Sequence, residues 1–221
     1  MTRSIIENLA QQPDLRRALD NYRAMAKDYD STCTRIEALR LATVQALQLK
    51  PGETVFDIAC GTGPTLPLLA ELVGPSGNVV GVELSPEMAA LARHRIADRP
   101  DCGHVVVAQT AMADLALGQE ADAVLMCYAH DVLQSEASIE RVVAVAKPGA
   151  RIALLGMQTL PWLWGWPLNV FNLYRARRYL TTYANMDCPW RLLAGRGARL
   201  RLVRTALWGS AYLVVGTLPD I

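Results

Sequence analysis

One stretch limits the folds open to this chain: Thr54 to Met88, TVFDIACGTGPTLPLLAELVGPSGNVVGVELSPEM. It opens with a short apolar run (Val55, Phe56, Ile58) that reads as a strand, meets a glycine-rich turn at Cys60 to Gly63, and continues with Leu66, Leu68, Leu69 and Leu72 at helical spacing. A second strand, Val79 to Val82, then ends at an acid, Glu83, 20 positions after Gly63. That order suits a nucleoside. Glycines let the backbone approach a ligand, the start of the helix offers free N–H groups, and a carboxylate after the second strand can accept hydrogen bonds from ribose hydroxyls.

The glycine spacing narrows the reading. A dinucleotide-binding turn would show GxGxxG and a phosphate-binding loop would end in GK[ST]; neither is present. The pattern Asp57-x-Ala59-x-Gly61-x-Gly63 resembles the first motif of the class I S-adenosylmethionine-dependent methyltransferases, acidic-x-Gly-x-Gly-x-Gly. Lys147-Pro148-Gly149-Ala150 before the strand-like Arg151 to Leu155 is similar to the family's turn into its fifth strand. The chain departs from the pattern in two places: Ala59 replaces the first glycine, and Thr110, Ala111 and Met112 stand where many members carry an acid after the third strand, with Asp114 further on.

The resemblance implies a Rossmann-like, doubly wound α/β fold. It has a mostly parallel seven-stranded sheet, an N-terminal helical cap and a C-terminal antiparallel hairpin. S-adenosylmethionine is the implied cofactor. Asp57, Ala59, Gly61, Gly63, Glu83, Leu84, Met88, Ala111, Met112 and Tyr128 are the implied cofactor contacts, joined by Tyr22 and Tyr29 from the cap. Tyr29-Asp30 resembles the Tyr-Asp pair of the ubiquinone and menaquinone methyltransferase group, although Tyr22 and Tyr29 also suit plain packing of a helix on the core.

The rest of the chain fits one domain, read as a cap (1–48), a cofactor-binding half (49–157), an aromatic lid (158–190) and a closing hairpin (191–221). In the cap, Leu15, Leu19, Tyr22, Met25, Ala26 and Tyr29 recur at three- and four-residue spacing. Strands are expected over His104 to Ala108, Asp122 to Cys127 and Arg151 to Gly156, with a final pair over Arg199 to Thr205 and Ala211 to Thr217. Pro86 after Ser85 marks the start of a helix.

Net charge is +1 with 19% charged residues, so no global field argues for a nucleic-acid partner. The five cysteines are scattered without a CxxC pair, which speaks against a metal site or a disulfide framework. Glu7 and Asp14 interrupt the apolar residues near the start, and the expected compartment is the cytoplasm. Residues 152–174 carry no charge, but Pro161, Gly165 and Pro167 break the run, so it reads as a buried strand followed by an apolar lid.

Two places point to chemistry. Tyr128-Ala129-His130-Asp131 follows the fourth strand at the edge where open parallel sheets bind ligands, so His130 is the candidate base and Tyr128 the residue lining the methionine end of the cofactor. His130 also suits a role in capping or packing the helix that follows. The segment Leu160 to Trp190 gathers most of the aromatics; Trp162, Trp166 and Tyr174, with Tyr29, are the expected acceptor contacts. The same aromatics leave open a hydrophobic cover, a homodimer contact or a peripheral membrane contact.

The favoured function is methyl transfer to a small, apolar or aromatic acceptor. No NPPY-type motif follows the fourth strand, which speaks against nucleic-acid amino groups as acceptors. Two other readings stay open: a cyclase or lyase in which the cofactor attacks its own side chain and releases methylthioadenosine, and a non-catalytic cofactor-binding subunit.

Overall fold

Strand β1 (Thr54–Ile58) lies in the middle of a seven-stranded sheet and is buried along its whole length. The computed structural model describes residues 12–26, 36–116 and 118–220. Strands β2 (Asn78–Glu83) and β4 (Ala121–Cys127) flank β1 in parallel; β3 (Val105–Gln109) lies outside β2, and β5 (Ala146–Met157) outside β4. Then the direction reverses. Strands β6 (Arg199–Ala206) and β7 (Ala211–Thr217) form an antiparallel hairpin, and β7 pairs with β5. The order β3-β2-β1-β4-β5-β7-β6 is the mostly parallel sheet with a closing hairpin that the sequence implied.

Both sheet faces are covered, so adjacent residues of one strand serve different cores. Val55, Val79, Leu125 and Ala153 pack under helices α2 (Glu37–Ala46), α3 (Leu66–Val73) and α4 (Pro86–Ala97), represented by Val44, Leu69 and Ala92. On the other face Phe56, Val80, Val124 and Ile152 meet Leu133, Ile139 and Leu193. Those come from α5 (His130–Leu133), α6 (Glu136–Ala144) and α8 (Arg191–Gly195). Local signals set the helix ends. The Ser85 hydroxyl accepts the Met88 N–H at 3.3 Å with Pro86 in the first turn, and the Asp14 carboxylate accepts the Arg17 N–H at 3.0 Å to start α1 (Leu15–Met25).

Strand β5 starts five residues before its expected position. Ala146 pairs with Ala121, the register then shifts, and Arg151 pairs with Ala123, so the Lys147–Ala150 turn is an irregularity inside the strand, with Gly149 at φ +70. The charge-free run divides between β5 and helix α7 (Trp162–Ala176), which has Pro167 inside it. Among the described residues no helix is long and apolar enough to cross a membrane.

The motif glycines have separate tasks. Gly63 sits at φ +70, where an added Cβ would stand 2.8 Å from Leu66 Cδ1 and 3.0 Å from Ala92 Cβ, so it lets the β1 turn pack directly on α4. Gly63→Ala should therefore lower stability by roughly 1–3 kcal/mol, read as a lower urea midpoint with an unchanged m-value. A midpoint equal to the parent's would mean that the turn relaxes freely.

Candidate functional site

Where strand order reverses around β1, the loops after β1 and β4 turn to opposite sides of the sheet and leave a crevice at their carboxyl ends. A cavity of about 350 Å³ fills it. Its walls come from Ala59 and Gly61 after β1, Glu83 and Leu84 after β2, Ala111 and Met112 after β3, and Tyr128 and His130 after β4. Met88 of α4 closes one side. Leu15, Ala18 and Tyr22 of α1 cover the cavity, with Tyr179 and Leu180 beyond α7.

Glu83 is 7% exposed and makes two backbone contacts: one carboxylate oxygen accepts the Gly61 N–H at 2.9 Å and the other the Ser85 N–H at 2.8 Å. Burial raises its pKa, and these backbone donors oppose the rise. Each oxygen has a second lone pair, so the carboxylate that fixes the glycine turn can still accept hydroxyl groups from the cavity.

The turn itself carries three successive left-handed positions at alternate residues: Ala59 (φ +57), Gly61 (φ +59) and Gly63 (φ +70). Only glycine adopts these without penalty, so Ala59 is held there by its surroundings. Asp57, the motif acid, is 1% exposed and lies off the cavity wall. Its carboxylate accepts a short hydrogen bond from the Thr65 hydroxyl at the start of α3, which ties strand to helix. Burial pushes its pKa up to about 7, against the Thr65 bond and Arg40; Glu83 adds to the rise.

On the opposite wall Tyr128 has φ +58, and its N–H donates to Leu155 O at 2.6 Å, so the chain turns sharply out of β4 and presents His130 inward. His130 is 7% exposed; burial lowers its pKa to about 4, with the Ala184 backbone pulling the other way. No hydrogen bond of ordinary geometry reaches either ring nitrogen among the described residues, the Ala184 backbone being the polar group that acts on the ring. A buried imidazole on a cavity wall with at most one backbone partner has a nitrogen left to meet a polar atom in the cavity. Asp131, next to it in sequence, is engaged elsewhere. Its carboxylate accepts the Thr181 N–H at 3.0 Å and the Thr181 hydroxyl at 2.7 Å, since consecutive helical side chains point apart. The Asp14 N–H donates to the same hydroxyl oxygen at 3.0 Å, so Thr181 joins the start of α1 to the loop after β4.

Of the expected site residues, Ala59, Gly61, Glu83, Leu84, Met88, Ala111, Met112, Tyr128, His130 and Tyr22 meet at this cavity. Asp57 and Gly63 stand behind it as supports. Tyr29 lies outside the described residues. The aromatic segment differs from its expected placement: Trp162, Trp166 and Tyr174 are 55%, 58% and 61% exposed and are not on the wall. Helix α7 turns its small and polar residues Gly165, Asn169 and Ala176 inward, which sends the large rings outward. Tyr179, Leu180 and Asp114 do line the cavity, and sequence spacing gave no sign of the first two.

A family model described as a methyltransferase domain matches residues 55–149. The chain is 32% identical over 160 residues to a demethylmenaquinone methyltransferase of Symbiobacterium thermophilum, covering 72% of this chain and 61% of that protein. It is 32% identical over 116 residues to an arsenite methyltransferase of Halobacterium salinarum, covering 51% and 29%. The chain thus spans less than two thirds of either relative. A crystal structure of a SAM-dependent methyltransferase from Aquifex aeolicus superposes with a TM-score of 0.63 at 22% identity, over 81% of this chain and 89% of that one.

The buried acid gives a pH signature. An unfolded aspartate ionises near ~3.9, whereas Asp57 keeps its proton up to about 7 in the folded chain. Between those values the unfolded state has lost a proton that the folded state retains, so rising pH removes stability until the folded pKa is passed. The melting-temperature difference, Asp57→Asn minus parent, should grow from about pH 4 to about pH 7 and then level off. A difference independent of pH would show Asp57 ionised in the fold.

Proposed function

We propose that this chain is a class I S-adenosylmethionine-dependent methyltransferase that transfers a methyl group to a small, apolar acceptor bound between Tyr128, His130 and the cap. The observation that carries this is the cavity at the β1 reversal, with Glu83 on one wall and the buried imidazole of His130 on another. Its residues fit S-adenosylmethionine: a carboxylate for the ribose diol, apolar Leu84, Met88 and Met112 for a flat base, and Tyr22 and Tyr128 toward the far end. When bound, S-adenosylmethionine would supply an electrophilic methyl group, which an in-line nucleophile takes as the S–CH3 bond breaks and S-adenosylhomocysteine leaves. What the chain must do is hold the acceptor in line and exclude water. The cap residues Leu15, Ala18 and Tyr22 and the wall residues Tyr179 and Leu180 suit that task.

His130 is neutral at pH 7, so it can accept a hydrogen bond or proton from an acceptor hydroxyl, or donate through its other nitrogen. Two relatives suggest acceptors by their names, a demethylmenaquinone and arsenite. The walls favour the first kind. Cys127 is the one cysteine on the cavity wall among the described residues, and burial raises its pKa, whereas a soft, thiophilic acceptor calls for thiolates.

Glu83→Gln should weaken S-adenosylmethionine binding about tenfold or more, the scale of one hydrogen bond to a charged group, measured by calorimetry on a variant with parent-like circular dichroism. Parent-like affinity would remove Glu83 from the ligand. His130→Ala should lower turnover by ~10²-fold with cofactor affinity nearly unchanged, and the parent's rate should be flat from pH 6 to 8, because its imidazole titrates only near 4. A rate that declines through ~6.5 would mean an imidazole open to water. The product decides the reaction class: S-adenosylhomocysteine formed only when a quinone-type acceptor is added supports transfer, and methylthioadenosine formed without an acceptor contradicts it.

A further inference from the structure

Helix α7 turns an apolar face to the outside. Leu163 is 94% exposed and Trp164 62%, with Trp166, Val170, Phe171 and Tyr174 also more than half exposed. A surface helix normally shows its polar side outward; here the buried line holds the polar residue instead. Asn169 is 1% exposed, its Oδ1 accepts the Leu160 N–H at 2.8 Å, and its Nδ2 donates to Leu160 O at 2.9 Å. This double bond pair fixes the rotation of the helix, so the apolar face is held outward by the fold.

A second apolar point stands beside it. Trp208, at the turn between β6 and β7, is 89% exposed, and two consecutive bulky residues there, Leu207 (φ +50) and Trp208 (φ +62), hold left-handed backbone. The turn abuts the start of α7: a Cβ on Gly209 would meet Leu160 Cδ2 at 2.9 Å, and one on Gly165 of α7 would meet Leu160 Cβ at 2.3 Å. Leu160 is thus the shared contact under both features.

Charge is divided along the chain. Residues 158–221 hold eight arginines and two aspartates, and of these Arg191, Arg196 and Arg199 are ion-paired with Asp187, Glu140 and Asp220. Arg175, Arg177 and Arg178 close α7, and the Arg177 guanidinium lies 3.6 Å over the Tyr174 ring, keeping its charge beside the aromatic face.

We propose that the outer face of α7 and the Trp208 turn dock this protein on an anionic lipid surface. Tryptophan and tyrosine rings suit the headgroup boundary, and arginine stems can lie on apolar surface while their heads meet phosphate. The helix is 15 residues long with a proline inside, so it lies in the interface and does not span it. A second copy of the same face would set the Arg175, Arg177 and Arg178 cluster against itself, whereas an anionic lipid surface complements it. Beyond α7 the chain runs directly into Tyr179 and Leu180 on the cavity wall. On the methyltransferase reading, an apolar acceptor held in lipid would then reach the cavity from that side; the docking does not depend on that reading.

The full chain, mixed with vesicles of phosphatidylcholine alone or of equimolar phosphatidylcholine and phosphatidylglycerol, tests this by flotation. The parent should float with the mixed vesicles, less with phosphatidylcholine or at high salt, and its tryptophan emission should shift to the blue. Leu163→Glu, at a site 94% exposed and so without consequence for folding, should bind about tenfold more weakly or worse. Replacing Arg175, Arg177 and Arg178 together by Gln should cost the mixed vesicles about 10²-fold in affinity. A parent that does not float, or a Leu163→Glu variant that floats as well as the parent, overturns the proposal. So does a parent dimer, seen by light scattering, that ignores vesicles and that Leu163→Glu dissociates. Calorimetry of S-adenosylmethionine with the same parent sample reads the cofactor site independently, so the two failures are distinguishable.

Discussion

The Glu83 carboxylate, by accepting the Gly61 and Ser85 N–H groups, joins the turn after β1 to the turn after β2. Without that junction the glycine turn would have one N–H buried and unpaired, and the first wall of the cavity would have no fixed position. Other supports lie behind it. Asp57 and Thr65 bind strand to helix, and Gly63 lets the same turn settle on α4. The site is therefore held by backbone and by small residues, while the side chains facing the cavity are left to meet ligand.

The opposite wall is arranged differently. Thr181 receives the Asp14 N–H and gives its own N–H and hydroxyl to Asp131, which connects the cap helix, the loop after β4 and the segment after α7. Burial raises the pKa of Asp131 and lowers that of His130. Both shifts have the same cause: this side of the crevice is poorly solvated, so its hydrogen bonds are strong and its unpaired groups are exposed to whatever enters.

The sheet was legible because its strands are short apolar runs separated by glycine, proline and capping residues; strand ends were less so, since a strand buried on both faces has no alternation to mark them, and β5 starts five residues early. The glycine turn and Glu83 were legible for a similar reason, since their spacing follows from local geometry. What sequence could not show was distance in space. Tyr179 and Leu180 reach the cavity beside Thr181, which is tied to Asp131, 50 residues earlier. Trp162, Trp166 and Tyr174 were expected at the acceptor because aromatics were counted without their helical rotation. Asn169, a single buried amide, sets that rotation and turns them outward.

The central claim is that the crevice at the β1 reversal is where S-adenosylmethionine binds, with its ribose on Glu83. A crystal structure of the chain with S-adenosylhomocysteine tests it most directly. The account predicts the ribose hydroxyls within ordinary hydrogen-bond distance, about 2.5–3.0 Å, of the Glu83 carboxylate, and the sulfur on the side of Tyr128 and His130. A ligand bound outside the crevice, or one inside it that leaves Glu83 in contact only with Gly61 and Ser85, would contradict it.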